Sequence, residues 1–140
     1  MVGDLDHFKR INDRFGHAAG DAVLRTVAQR LRGCLRAQDK VARIGGEEFL
    51  IALPDTDRSG AIDAAERIRS AIARGPVTVP GRSAAISVTM SLGVALARPA
   101  AGAAPDQILR LMERADRALY GSKERGRNTV TLGRRRRTAA

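Results

Sequence analysis

A chain of 140 residues that is 44% hydrophobic but only 3% aromatic can build one compact domain, with a core packed by Leu, Ile, Val and Ala. The single cysteine, Cys34, excludes an internal disulfide, and no apolar stretch approaches the roughly 20 residues of a membrane helix. With 25 basic against 15 acidic residues, a net charge of +10, the composition favours anionic partners: nucleotides, nucleic acid or acidic lipid.

The amino terminus does not read as a signal peptide, and the cysteine usage suits a reducing cytoplasm, a membrane-anchored parent protein being compatible with it. "MVGD" reads as a strand cut short at its start. Asp4 ends it and Asp6 begins the turn, where an Asp before a helix is expected to be an N-cap. In "HFKRINDRFG", Phe8, Ile11 and Phe15 have the spacing of a short helix. "GDAVLRTVAQRLRGCLR" puts Val23, Val27, Leu31 and Leu35 on one face, with Asp21 near the helix start, where a carboxylate suits the dipole. "KVARI" and "EEFLIAL" are β-type runs joined by Gly45-Gly46, which predicts a type I′ or II′ hairpin. "RSGAIDAAERIRSAIA" is a second long amphipathic helix. "AAISVTMSLGVALA" predicts one or two strands, bent near Gly93. "PDQILRLMERADRALYGSKERG" is a third long helix stopping around Gly126, and "NTVTL" is a final edge strand. Hairpins mixed with helical crossovers imply an α/β (α+β) fold. Its central sheet is mixed and largely antiparallel, flanked by helices, and is not a doubly wound Rossmann sheet.

Successive strand residues point to opposite faces, so Glu47 and Glu48 divide their roles: one faces the open side near the turn, the other leans back toward the sheet edge or the turn's backbone. A strand ending in Asp4 beside a hairpin tip carrying glutamate can bring two carboxylates together. Carboxylates plus a main-chain carbonyl are hard oxygen donors of the kind Mg²⁺ accepts, and paired metals can activate an attacking oxygen and stabilise a leaving one. Taken alone, the pair also reads as a solvated strand end.

These residues resemble a known family. "DLDHFKRINDRFGHAAGD", "RIGGEEF", "SLGVA" and "ADRALYGSKERGRN" are similar, in order, to blocks of the GGDEF domain of diguanylate cyclases in its GGEEF variant. The resemblance implies a palm-like fold shared with nucleotide cyclases and polymerases, and condensation of two GTP into cyclic di-GMP with release of pyrophosphate. It implies two Mg²⁺ (or Mn²⁺) per active site, held by Asp4, the carbonyl of Leu5 and Glu47. Glu47 would also help deprotonate the 3′-hydroxyl, and Glu48 would be the second catalytic acid. Asn12 and Asp21 would read guanine, with His17 in the same pocket. Phe8 and Lys9 would offer backbone N–H groups to phosphate. Lys123 and Arg127, four apart, would bind phosphate, from one helix face if the helix persists that far. Taken singly, Asn12 could be a helix C-cap, Asp21 an N-cap, and Lys123 and Arg127 solvated cations.

"RAQD" places Arg36 and Asp39 five residues ahead of the glycines, similar to the family's RxxD product-inhibition site, with Arg67 as a second product-binding arginine. A homodimer would be needed for catalysis, and a linked sensory or regulatory domain is expected. The family's usual "D-x-L-T-x-L-x-N-R-R" segment before Asp4 is missing, so residues 1–132 are read as an N-terminally truncated cyclase domain and 133–140 as a basic disordered tail. Three rivals follow. One is an inactive cyclic di-GMP receptor using Arg36 and Asp39. Another is a cyclase taking ATP or mixed nucleotides. The last is a nucleic-acid module using Arg134 to Arg137, disfavoured because the tail lacks interleaved aromatics.

Overall fold

A computed structural model describes residues 1–81, 85–97 and 105–133. Arg134 to Arg137, and with them all of the expected tail beyond Gly133, lie outside the described residues. In chain order the elements are β1 (Val2–Leu5), α1 (Phe8–Phe15), α2 (His17–Cys34), β2 (Lys40–Arg43), β3 (Glu48–Ala52), α3 (Arg58–Ala73), β4 (Val77–Thr78), β5 (Ala85–Ile86), β6 (Met90–Val94), α4 (Pro105–Glu124) and β7 (Val130–Leu132). The five-stranded sheet has the order β2-β3-β1-β6-β7, antiparallel except for the parallel β6–β7 pair. The mixed, largely antiparallel sheet expected from the element order is therefore present.

Strand alternation sorts side chains to two faces. Leu5, Phe49, Ile51, Met90, Leu92 and Val94 join the main core with Val23, Val27 and Leu31 of α2 and Ile68 and Ile72 of α3. Val2 packs on the other face with Ala115 and Leu119 of α4. Full burial of an aliphatic side chain such as Ile68 contributes about 1.5–3 kcal/mol, which is how a core short of aromatics holds together.

Gly93 does not bend β6. It sits inside the strand, and a Cβ there would collide with Ala115 O and Leu119 N, so α4 can approach only over glycine. The hairpin turn also differs from expectation. Ile44 N–H donates to Glu48 O at 3.0 Å, so Ile44 to Glu47 form a longer loop. Neither Gly45 nor Gly46 takes the positive φ that a type I′ or II′ turn demands of its glycines.

Asp6 is not an N-cap. His7, with φ 57, occupies that position without a side-chain cap, and the Asp6 carboxylate bonds elsewhere. α2 begins at His17, so Asp21 stands in its second turn and caps nothing. β5 falls with β6 in the stretch expected to form one or two strands, whereas β4 was not anticipated, because a two-residue strand between Pro76 and Pro80 carries no readable period. α4 stops at Glu124. Gly126, with φ 103, closes it: Arg127 N–H bonds to Ser122 O at 3.1 Å and Gly126 N–H to Lys123 O at 3.4 Å. Arg127 is thus off the helix, so the condition for sharing a helical face with Lys123 is not met.

Candidate functional site

β1 is the central strand, and its carboxyl end meets the hairpin. The register sets Asp4 opposite Glu48 on β3 and opposite Ser91 on β6, so all three face α4. Glu47 lies one residue before β3. Its carbonyl accepts from Leu5 N–H at 3.2 Å, which anchors the hairpin tip to the end of β1. The side chain directly across from Asp4 is therefore Glu48, while Glu47 flanks Leu5. The Glu48 carboxylate leans back over the turn: a Cβ on Gly45 would lie 2.8 Å from Glu48 Oε2. At Gly46 a Cβ would meet nothing within 4 Å, so that side of the loop is open to a ligand.

Asp4 is buried, and Lys123 Nζ reaches its Oδ2 at 2.9 Å. Burial holds the Asp4 carboxyl above the usual range, and Lys123 offsets that only in part. Arg127, across the α4–β7 turn, also favours the ionised form. Asp4 is thus a carboxylate with one strong cationic partner and unmet demand for more positive charge. Among the described residues no group of three or more His, Cys, Asp or Glu side chains is arranged to hold a metal ion by itself. The donor set of Asp4, the hairpin glutamates and the Leu5 carbonyl is hard and sparse. It fits Mg²⁺, which binds through one or two carboxylates and leaves its other positions to water and substrate phosphate.

On the other face, α1 and α2 meet through the single residue Gly16. Asn12 is half-buried, and its Oδ1 occupies the space over Gly20, where a Cβ would collide with it. Asn12 of α1 thus packs over Gly20, the residue before Asp21 on α2. His17 is exposed at the start of α2. Phe8 is buried and Lys9 exposed at the start of α1, where the first N–H groups have no intrahelical partner. Beside Asp21 a groove of about 290 Å³ runs between α2 and β2, floored by Leu24, Val41 and Phe49 and rimmed by Arg25, Arg32 and Arg43. A larger apolar cavity, about 380 Å³, lies between β3 and α4 and includes none of the candidate site residues.

The RxxD turn forms a second centre at the end of α2. Asp39 accepts from Arg36 Nη2 at 3.0 Å, Arg36 Nε at 3.2 Å and Arg36 N–H at 2.8 Å. Arg36 Nη2 also donates to Thr56 Oγ1 at 2.7 Å. These bonds from Arg36 hold the Asp39 carboxyl below its usual range. Arg67 donates to Cys34 O at 3.2 Å, capping α2 beside this turn rather than touching Arg36 or Asp39. Burial raises the Cys34 thiol, and the nearby Arg67 and Arg74 oppose that shift.

One cluster escaped sequence reasoning: the hydroxyls of Thr89 and Ser91 and the Asn128 N–H, which all donate to Asp6. The only local signal was that Asp6 stands two residues after Asp4, on the same side of the strand path.

A family model described as "Diguanylate cyclase, GGDEF domain" matches residues 1–129. Diguanylate cyclase A of Treponema denticola is 45% identical over 132 residues, 94% of this chain and 34% of the relative. Response regulator PleD of Caulobacter vibrioides is 45% identical over 130 residues, 93% of this chain and 28% of the relative. The chain thus spans about a third of the length of these curated relatives. A crystal structure of the GGDEF domain of DgcB from Caulobacter crescentus, in complex with c-di-GMP, superposes with a TM-score of 0.84 at 37% identity, covering 94% of this chain and 75% of that one. The active GGEEF domain of a diguanylate cyclase from Vibrio cholerae gives 0.80 at 33% identity, covering 96% and 81%.

Proposed function

This chain belongs to the GGDEF family of diguanylate cyclase domains, and on that premise we propose that it condenses two GTP into cyclic di-GMP. The observation that carries the reading is the meeting of Asp4 with the GGEEF hairpin across β1 and β3, with Lys123 on the same carboxylate. A phosphoryl site needs acid for metal and base for phosphate at one place, and here both converge at the end of the central strand.

Each domain holds one GTP. Asn12 and Asp21 take the guanine edge: the carboxylate accepts from N1–H and N2–H, and the amide meets the remaining edge. His17 lies in the same pocket. The first N–H groups of α1, at Phe8 and Lys9, take phosphate oxygens, as do Lys123 and Arg127. Asp4, Leu5 O and Glu47 would hold Mg²⁺, which supplies neutralisation of the charge that develops on the phosphate oxygens. Two domains face each other as an antiparallel homodimer. The 3′-oxygen of one GTP attacks the α-phosphorus of the other. Its proton passes to Glu47, Glu48 supports the hairpin geometry, and the bond to the β-phosphate breaks to release pyrophosphate. Repetition in the other direction closes the ring. Positioning supplies most of the acceleration. Arg36 and Asp39, with Arg67 nearby, take the product and lower activity.

The test is incubation of the purified chain with GTP and Mg²⁺, with cyclic di-GMP measured by chromatography and mass, beside Glu47→Ala. Product from the parent protein alone is expected. Equal product from Glu47→Ala overturns the assignment. No product from either, with cyclic di-GMP binding lost on Arg36→Ala, favours a receptor domain instead.

A further inference from the structure

The mechanism above leaves one buried acid unused. Asp6 is 6% exposed. Its Oδ2 accepts from Thr89 Oγ1 at 2.6 Å and from Asn128 N–H at 3.0 Å, and its Oδ1 accepts from Ser91 Oγ at 2.6 Å. The Asp6 N–H donates to Thr89 O at 2.9 Å. Three donors from two distant segments converge on one carboxylate. An ionised carboxyl only accepts, so it suits all three. An amide would turn its NH₂ toward one of them.

The segment beyond α4 explains why so many bonds are spent here. Gly126, Arg127 and Asn128 have φ 103, 68 and 44, three consecutive left-handed residues of which only one is glycine. Such a run persists only where its surroundings over-determine it. The Asn128 N–H is tied to Asp6, and its side-chain Oδ1 accepts from Arg69 Nη1 at 3.0 Å. Arg127 is caught between the helix end and this tether, near enough to Asp4 to favour its charge.

We propose that Asp6 is a positioning residue for the GTP triphosphate: it clamps the Gly126–Asn128 turn to the β1–α1 turn, so that Arg127, Lys123 and the amino terminus of α1 face one polyphosphate. The assignment rests on the GTP reading above. Asp6 touches no substrate. It fixes where the Arg127 guanidinium is presented, which helix α4 cannot do because it ends before Arg127.

The experiment measures binding of a fluorescent GTP analogue with Mg²⁺, together with turnover and thermal midpoint, in the full chain. Asp6→Asn is expected to weaken nucleotide binding about tenfold. In an Arg127→Ala background the same change is expected to add less than about twofold, because the residue it positions is gone. Losses that multiply in full in the double variant overturn the proposal, as does unchanged binding by Asp6→Asn. If Asp6→Asn does not fold, Thr89→Val and Thr89→Ser decide. Valine removes one donor and is expected to weaken binding, while serine keeps the hydroxyl and restores it. Equal binding by the two sinks the idea. Binding of the analogue without turnover overturns the cyclase reading and leaves this one standing. Absence of binding by the parent protein overturns both.

Discussion

Asp4 and Asp39 are both buried aspartates paired with a basic side chain, at 2.9 Å from Lys123 and 3.0 Å from Arg36. Their carboxyls nonetheless move in opposite directions, Asp4 up and Asp39 down. Burial is the larger influence at Asp4, and one ammonium does not cancel it. At Asp39 a guanidinium fork and a main-chain N–H from the same arginine outweigh burial. Burial leads at Asp4 and the donors lead at Asp39, so depth and the number of donors decide together. Asp4 is left receptive to added positive charge, as a metal site requires. Asp39 is saturated by its own turn, so a ligand at the RxxD centre must displace Arg36 or share it.

The comparison breaks most visibly at Asp4→Asn. Loss of the charge should lower cyclic di-GMP formation by about 10³-fold, the scale of losing a key electrostatic stabiliser. Stability should not fall with it. Burial penalises the ionised Asp4 in the folded chain, and a neutral isostere removes that penalty. The expected thermal midpoint at neutral pH is unchanged or higher, the usual opposition between a functional charge and a stable fold. A marked drop in midpoint would mean that the ion pair with Lys123 holds the fold.

Arg36→Ala should do the reverse. It strips the buried Asp39 of both guanidinium bonds and leaves it only the main-chain N–H of residue 36, at a cost of about 2 kcal/mol, read from the midpoint of chemical unfolding. Arg36→Ala combined with Asp39→Ala should recover part of this, because no orphan charge remains. The pH dependence separates the two acids further. Asp39 is depressed in the fold, so its contribution is complete above the unfolded carboxylate value near about 3.9. It is lost as pH falls through that value toward the lower folded one. Asp39→Asn should therefore flatten the acid limb of stability against pH. Asp4 is raised, so the fold gains stability as pH falls through its raised folded value toward the unfolded one, and Asp4→Asn should remove a slope of opposite sign.

What could be read in advance follows from how local each cause is. α3 was read to its boundaries, Arg58–Ala73, because its apolar period runs unbroken from Ala61 to Ile72. The family was legible because its blocks are contiguous and in order, and the sheet brings the candidate acid Asp4 and the hairpin side by side. The errors came where a distant partner overrode a local rule. An Asp before a helix is a good N-cap, yet donors 83, 85 and 122 residues away claim Asp6. Gly93 looked like a bend because the pressure on it comes from α4, far along the chain. The spacing of Lys123 and Arg127 suggested one helix face, but Gly126 ends the helix between them. Gly45 and Gly46 suggested a tight turn, whereas they leave room for Glu48 on one side and open space on the other.

The smallest expected effect bears most directly on how Asp39 is held. Thr56 Oγ1 accepts from Arg36 Nη2 at 2.7 Å and donates to Pro54 O at 2.9 Å, which ties the RxxD turn to the loop before α3. Thr56→Val removes this acceptor but leaves every bond between Arg36 and Asp39 in place. The expected loss is about 0.5–1 kcal/mol, with the acid limb unchanged, because the depressed carboxyl keeps its donors. A loss as large as that of Arg36→Ala would show that the loop, and not the carboxylate, fixes the arginine. Arg36 would then already be presented from outside its own turn, and a ligand could take it without first prising it from Asp39.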